Sequence, residues 1–259
     1  MQRPAHAPMI DIHSHILPGL DDGSKSLEES IAMLRMAAAA GTTDIVASPH
    51  ANQDYVFDPL LVEQKIGELQ AAVGDSPQIH FGCDFHLTLE NIEDSLRSPG
   101  KYSINHRGYL LVEFSDFFIP KTTDEVFARM MRAGLRPIVT HPERNQLLQR
   151  RIPELEEWVA QGVHLQVTAQ SLMGRFGKTA SNCAHELMSR GLVHFLASDA
   201  HDLKWRTTVL SDSMRYVEKE FGPEAALRVF EDNPRSVLAG VPLTSAPLQV
   251  KRRKWYAFW

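Results

Sequence analysis

At 259 residues with 43% hydrophobic content, the chain is long enough to bury a sizeable core and has the composition of an ordinary globular protein. A formal charge of −5 argues against a general nucleic-acid surface. No run of about 18 or more apolar residues suggests a membrane span, and Met1-Gln2-Arg3-Pro4-Ala5-His6 lacks the apolar core of a signal peptide, so a cytoplasmic protein is expected.

The first predicted strand, residues 9–12, runs directly into His13-Ser14-His15. A strand's pleat sends alternate side chains to one side, so the two imidazoles converge with Ser14 opposite. That suits a divalent cation better than a packed core, where each ring nitrogen needs its own partner. One such pair is ambiguous alone, and its meaning depends on the other strand ends. Residues 16–25 form a loop in which Asp21-Asp22-Gly23 reads as a turn, its acidic pair within reach of His15 to orient it. Ser26 and Glu29 have capping-box spacing and open a helix with Ile31, Leu34, Ala37 and Ala38 on one face, stopped by Gly41.

The pattern then repeats. A strand at 44–47 ends in Ser48-Pro49-His50, and Asp58-Pro59 opens a helix that lasts to Gly74. A third strand, 78–81, leads to Gly82-Cys83-Asp84-Phe85-His86, and a short helix is expected near 92–96. The fourth, 109–112, runs into Glu113, whose charge ends an apolar run. After a helix at 124–133, the fifth, 137–140, delivers His141-Pro142-Glu143-Arg144. A helix at 153–161 precedes the sixth, 163–167, which delivers only Thr168 and Gln170. The seventh, 193–197, delivers Ser198-Asp199-Ala200-His201. Helices near 210–221 and 223–231, a stop at Asn233-Pro234-Arg235 and a tail complete the chain. Cys83 and Cys183 have no CxxC spacing, so neither a disulfide framework nor a zinc knuckle is expected.

Apolar strands alternating with amphipathic helices predict a parallel sheet of βαβ units. An open sheet would spread the polar strand ends along an edge, whereas a barrel gathers them at one mouth. The expected fold is therefore a seven-stranded (β/α) TIM-like barrel, a single domain over 1–240 with a tail over 241–259.

His13, His15, His50, Asp84, Glu113, His141, Asp199 and His201 would meet at that mouth. So many nitrogen and oxygen donors without a thiolate exceed the needs of one ion and imply two or three, with Glu113 as a natural bridge. Mixed imidazole and carboxylate ligands suit manganese, iron or zinc. Ions about 3.5–4 Å apart can acidify a shared water to hydroxide for in-line attack on phosphorus and neutralise the entering and leaving oxygens. Arg144 and Arg206 follow His141 and His201 on loops at the same mouth, where guanidinium forks match phosphoryl oxygens. A phenol with a pKa of about 10 needs little acid assistance to leave; His50 or His201, where not fully committed to metal, can supply a proton.

The series Asp-Ile-His-Ser-His, Asp-Asp-Gly, Ser-Pro-His, Glu-Phe-Ser, His-Pro-Glu-Arg and Ala-Ser-Asp-Ala-His, in this order, resembles the polymerase and histidinol phosphatase (PHP) superfamily. Within it the chain is most similar to the bacterial manganese-dependent protein-tyrosine phosphatases of capsule and exopolysaccharide operons, over roughly residues 9–238. The resemblance implies a distorted (β/α) barrel, a trinuclear metal site, and a phosphotyrosine substrate on a membrane-associated bacterial tyrosine kinase. It implies His13, His15, His50, His141, His201, Glu113 and Asp199 as ligands, and Arg144 and Arg206 as phosphate-binding residues. One position departs: those phosphatases usually have glutamate where this chain has Asp84, one methylene shorter.

The remaining histidines, His6, His80, His86, His106, His164, His185 and His194, read as surface or core groups, with His86 placed closest to a ligand. Phe114, Phe117 and Phe118 read as core, or alternatively as a wall for a phenyl ring. The tail 251–259 combines four basic residues with four aromatics, a make-up suited to an anionic membrane surface or to the tail of a membrane-bound kinase. An oligomer is compatible with the sequence. Competing functions are a histidinol-phosphate or other small-molecule phosphatase on the same fold, and an inactive metal-binding adaptor.

Overall fold

Parallel pairing organises residues 8–243, which are the residues the computed structural model describes; His6 and the tail 251–259 lie outside them. The strands are β1 (Met9–Ser14), β2 (Thr42–Ala47), β3 (His50–Ala51), β4 (Gln78–Phe81), β5 (Asp84–His86), β6 (Tyr109–Glu113), β7 (Arg136–Thr140), β8 (His164–Thr168) and β9 (Phe195–Ala197). They form two sheets with orders β1-β2-β4 and β3-β5-β6-β7-β8-β9, and every pairing within them is parallel.

The single seven-stranded ladder expected from the sequence is thus divided, and the cause is local. Between β2 and β3 stands Pro49, which has no N–H for a ladder, while its carbonyl accepts from Asp84 N at 3.1 Å. Between β4 and β5 stands Gly82, packed so closely that a Cβ there would lie 2.4 Å from Val46 Cγ1. Each strand therefore breaks once and resumes, so the residues after the breaks, His50 and Asp84, become paired strand residues in register. Across the remaining gap, β1 meets the end of β9 through an isolated bridge between Ser14 and Ala200, with His15 N donating to Ala200 O at 2.8 Å and Asp199 N to His13 O at 2.9 Å.

Helices follow the strands: α1 (Leu27–Ala39), α2 (Pro59–Val73), α3 (Leu89–Arg97), α4 (Thr123–Arg132), α5 (Ile152–Gln161), α6 (Gly177–Ser189), α7 (Ser211–Phe221), α8 (Pro223–Leu227) and α9 (Asn233–Ala239). Ser26 caps α1 by accepting from Glu29 N at 3.2 Å, although the Glu29 carboxylate turns to Lys25 N rather than completing the box. Asp58 caps α2, with Pro59 in the first turn. Helix α3 is longer than expected, because Thr88 caps it by accepting from Asn91 N.

Asn233-Pro234-Arg235 does not stop a helix but begins α9. A turn of π-helix over Arg228–Asp232 carries α8 into it, leaving Pro234 in a first turn where a missing N–H costs little. The last carbonyls of this segment are held from the sheet: Arg107 Nη1 donates to Leu238 O at 2.9 Å, Arg136 Nη1 to Gly240 O at 2.8 Å and the Tyr109 hydroxyl to Val241 O at 2.8 Å. Tyr109 and Arg136 begin β6 and β7, so α9 covers the amino ends of the strands and leaves the carboxyl ends for the site.

Apolar packing fixes that frame. Ile10, Ile12, Leu111, Ile138 and Phe195 form one buried cluster, while Val112, Val139, Leu165 and Leu196 belong to another that meets the helices. Burial on both faces is the normal state of parallel strands, and each such side chain contributes roughly 1.5–3 kcal/mol. Phe114 proves to be core: its ring stacks on the fully buried Trp158, with centroids 5.5 Å apart. Phe117 and Phe118 are instead 94% and 63% exposed.

Candidate metal centre

Eight donors from distant parts of the chain come together at the carboxyl ends of the strands. His13 and His15 leave β1 with their Nε2 atoms 3.2 Å apart. Each ring is fixed from behind, since His13 Nδ1 donates to Gln166 Oε1 at 2.9 Å and His15 Nδ1 to Asp21 Oδ2 at 2.7 Å. Both partners only accept here, so in the neutral rings both protons sit on Nδ1 and both Nε2 lone pairs face the same point.

Around that point the carboxylates close in. Asp84 Oδ2 lies 3.4 Å from His13 Nε2 and 3.3 Å from His50 Nδ1. The shorter side chain at this position therefore still reaches the cluster, because the β3–β5 register sets Asp84 directly beside His50. Asp199 Oδ1 is 3.5 Å from His13 Nε2 and 3.4 Å from His15 Nε2. Glu113 faces two histidines with its two oxygens, Oε2 at 3.4 Å from His50 Nδ1 and Oε1 at 3.5 Å from His141 Nε2. On the outer side Asp22 Oδ1 lies 3.4 Å from His50 Nε2 and 3.3 Å from His201 Nε2.

Four overlapping groups result, each with its donor atoms within 4.8 Å of one another: His13, His15 and Asp84; His13, His141 and Asp199; His50, Asp84 and Glu113; and His15, Asp22, His50 and His201. Nitrogen and oxygen ligands about 2.0–2.2 Å from a common ion are themselves about 3.0–3.5 Å apart, the spacing found here. The hydrogen-bond inventory agrees with cation binding. Buried His50 Nδ1, both Asp84 oxygens, Asp199 Oδ1 and His201 Nε2 make no hydrogen bond, a costly state for polar atoms unless they have a ligand. The residues present therefore fit a cluster of ions.

Without cations the cluster holds protons. Burial opposes charge on His13, but the Asp84 and Asp199 carboxylates overcome it and push the imidazole up to about 9. For His50 burial is likewise outweighed, here by the neighbouring Asp22 and Asp84 carboxylates, and the ring is pushed up to about 11. Burial and then the Asp84 charge raise Glu113 to about 8. His201 is pulled down to about 4 by burial and the neighbouring His15, and burial followed by the Arg144 charge holds His141 well below the usual range.

Two strand ends carry unusual backbone. His141 and Asp199 have φ of 32° and 50°, the left-handed region that non-glycine residues seldom adopt. The strain of about 1–3 kcal/mol each is opposed by local bonds, Arg144 N to His141 O at 2.9 Å and Asp199 N to His13 O at 2.9 Å. The arginines also meet Asp199, for both guanidiniums donate to Asp199 Oδ2, and Arg206 Nε donates to the Asp199 carbonyl at 3.2 Å. Despite its burial, these two cations hold the Asp199 carboxyl well below the carboxylate range. Arg144 is further steadied by Thr168 Oγ1 at 3.3 Å and by the Phe176 ring, 4.5 Å from its guanidinium carbon.

All eight expected metal residues and both arginines are thus neighbours. Asp22, Gln166 and Glu143 were not among the expected site residues. Gln166 and Thr168 alternate with apolar Leu165 and Val167 along β8, a signal that they face something polar. Glu143 is fully buried, accepts from Thr168 N at 3.1 Å and Ser171 Oγ at 2.7 Å, and is raised to about 7 by burial. It ties the end of β8 to the loop that carries Arg144. Other described histidines stand apart: His80 pairs with Asp44, His106 with Glu63, and His185 with Tyr216. His164 and His194 pack against each other. Among the other described histidines only His86 approaches, with Nε2 3.8 Å from Glu113 Oε2.

A parallel α/β scaffold with clustered imidazoles and carboxylates at its strand ends, and two arginines beside them, defines a class of protein built to hold metal ions. The chain belongs to the family described as "Capsular polysaccharide synthesis, CpsB/CapC", whose model matches residues 9–239. It is 33% identical over 254 residues to the tyrosine-protein phosphatase YwqE of Bacillus subtilis, covering 96% of this chain and 100% of that protein. To the tyrosine-protein phosphatase CpsB of Streptococcus pneumoniae it is 29% identical, covering 89% of this chain and 98% of the relative. Among solved structures, one from work on YwqE of Bacillus subtilis and CpsB of Streptococcus pneumoniae, described as metal-dependent tyrosine phosphatases, superposes with a TM-score of 0.86 at 32% identity, over 95% of this chain and 100% of that one.

Proposed function

We propose that this protein is a metal-dependent protein-tyrosine phosphatase acting on a phosphotyrosine protein in capsule or exopolysaccharide synthesis. The observation that carries the reading is the double engagement of Asp199, one oxygen facing His13 and His15 and the other accepting from Arg144 and Arg206. Metal side and phosphate side of the pocket meet on one carboxylate. The names of the relatives favour phosphotyrosine over histidinol phosphate as substrate.

Manganese is the ion inferred, iron and zinc being the other candidates; two or three ions held by the clustered histidines with Asp84, Glu113 and Asp199, and with Asp22 added, supply Lewis acidity and an activated water when bound. The chain's own residues do the rest. Arg144 and Arg206 present forks that match the non-reacting phosphoryl oxygens, which replace Asp199 Oδ2 as their partner. Glu113, Phe114, Thr140, His141 and Arg144 bound a pocket of about 110 Å³ next to them, sized for a phosphoryl group and the near edge of a ring. His50 and His201, which share Asp22, are the groups assigned to return a proton to the departing phenolate, each where it is not fully committed to an ion.

The same reading treats the two sheets as staves of one distorted seven-part barrel closed at Ser14 and Ala200, with 1–240 as the catalytic domain. It assigns the enzyme to the cytoplasm and its substrate to a membrane-associated tyrosine kinase, with the tail 251–259 as the contact to that membrane or kinase. Assaying manganese-loaded protein on a phosphotyrosine peptide and on histidinol phosphate tests the substrate class. The peptide is expected to win by ~100-fold or more in kcat/KM, equivalent to about 2.7 kcal/mol of transition-state discrimination. Faster turnover of histidinol phosphate would reject the reading.

A further inference from the structure

Three cavities adjoin one another along the carboxyl ends of the strands, and the middle one shares a wall with each neighbour. The central pocket contains Glu113, His141 and Arg144. Phe114 also walls a groove of about 590 Å³ formed by Leu87, Ile92, Phe118, Pro120 and Val126. Arg144 also walls a groove of about 470 Å³ with Gln146, Gln149, Arg150 and Phe176. The order follows the sheet. Leu87 continues β5 and is tied to Glu113 O at 3.0 Å, the central pocket lies between the ends of β6 and β7, and the second groove runs from the loop after β7 toward α6.

The two flanking grooves differ in chemistry. The first is mainly apolar, and its two charged residues, Glu125 and Arg129, have opposite signs. At its edge Leu89 and Phe118 are 77% and 63% exposed, apolar surface that gains by being covered. The second carries two guanidiniums, Arg144 and Arg150, and no acidic side chain.

Resting on the phosphatase reading above, we propose that these grooves seat the substrate chain on either side of the phosphotyrosine. They select a peptide with an apolar residue on one side of it and an acidic residue on the other. A phosphoryl group in the central pocket leaves the tyrosine main chain along the rim. Extended chain advances about 3.3 Å per residue, so flanking positions two or three removed lie roughly 7–10 Å away. Strands are spaced about 4.8 Å, which sets each groove one to two strand spacings from the pocket. The reach matches. Apolar contact on one side and charge-assisted pairing with Arg150 on the other supply affinity that a free aryl phosphate lacks.

The test uses the full metal-loaded chain and four phosphotyrosine peptides: glutamate two residues before and leucine two after, the reverse order, and alanine replacing the glutamate or both residues in the better order. p-Nitrophenyl phosphate serves as the substrate without flanks. One order is expected to exceed the double-alanine peptide by about tenfold in kcat/KM, expressed in KM. Phe118→Ser is expected to erase the leucine part of the preference and Arg150→Ala the glutamate part. Both side chains are exposed, and neither change should move p-nitrophenyl phosphate turnover. Equal turnover of all four peptides, or preferences that survive both substitutions, overturns the groove assignment and leaves the phosphatase reading standing. Failure to hydrolyse any of these substrates with metal bound overturns both.

Discussion

Replacing Gln166 by leucine isolates the support behind a single metal-facing nitrogen. The amide oxygen accepts from His13 Nδ1 at 2.9 Å, and both side chains are fully buried. Leucine fills similar space but leaves the Nδ1 proton without an acceptor, a penalty of about 1–3 kcal/mol. Loss of a partner behind a metal-binding histidine typically costs 10–100-fold in metal affinity, about 1.4–2.7 kcal/mol, so the two estimates agree. The fold should suffer less than the site, because Gln166 Nε2 already lacks a partner and its removal relieves one buried orphan. Competition with a chelator, read by manganese content, should show a 10–100-fold weaker site in Gln166→Leu, while Gln166→Glu, which keeps an acceptor, should restore binding. An affinity within threefold of the parent protein would refute the claim that Gln166 aims His13 at an ion.

Further predictions concern the mouth loop and the far end of the sheet. Asp22→Asn should lower the number of tightly bound ions by one, measured by elemental analysis, because Asp22 faces both His50 and His201; unchanged stoichiometry would reduce it to a turn residue. Gly23→Ala should destabilise the fold by about 3 kcal/mol or more, since a Cβ there meets the His15 carbonyl oxygen at 2.1 Å, and urea denaturation with an unchanged midpoint would contradict this. His194 is held down to about 3 by burial and the adjacent His164, and burial holds His164 down to about 4. Both are therefore neutral in the folded protein while the unfolded chain takes protons below pH ~6.5, so stability is full above that pH and falls as pH drops toward 4, by roughly 3 kcal/mol per histidine. His194→Asn in metal-free protein should flatten that fall between pH 6.5 and 4.5, and an unchanged slope would remove His194 from the account.

Strand ends were the legible part of this chain. A short apolar run that stops at a histidine or carboxylate marks both the strand and the direction in which its end points, and all eight donors read this way meet in the structure. Asp22 was harder because it lies in a turn: Gly23 N does donate to Asp21 Oδ1 at 2.9 Å, and a residue that suits a turn hides one that also faces histidines. For Gln166 the alternation with Leu165 and Val167 marks a side chain that faces something polar, but its partner, 153 positions away, lay beyond local reading. Two-residue β3 is too short to show a period, so its separation from β2 was visible only as Pro49. Pro234 carries the same residue-level sign whether it breaks a helix or opens one, and the preceding π-turn decides.

The central claim, that scattered imidazoles and carboxylates meet to hold several ions that dephosphorylate tyrosine, is tested most directly by stripping the protein with chelator and adding manganese in steps. Bound metal and phosphotyrosine turnover are followed in the same samples. Two or three ions per chain should bind, with turnover appearing only as the last of them is taken up. Full turnover in the stripped protein, or saturation at fewer than two ions, would contradict the account.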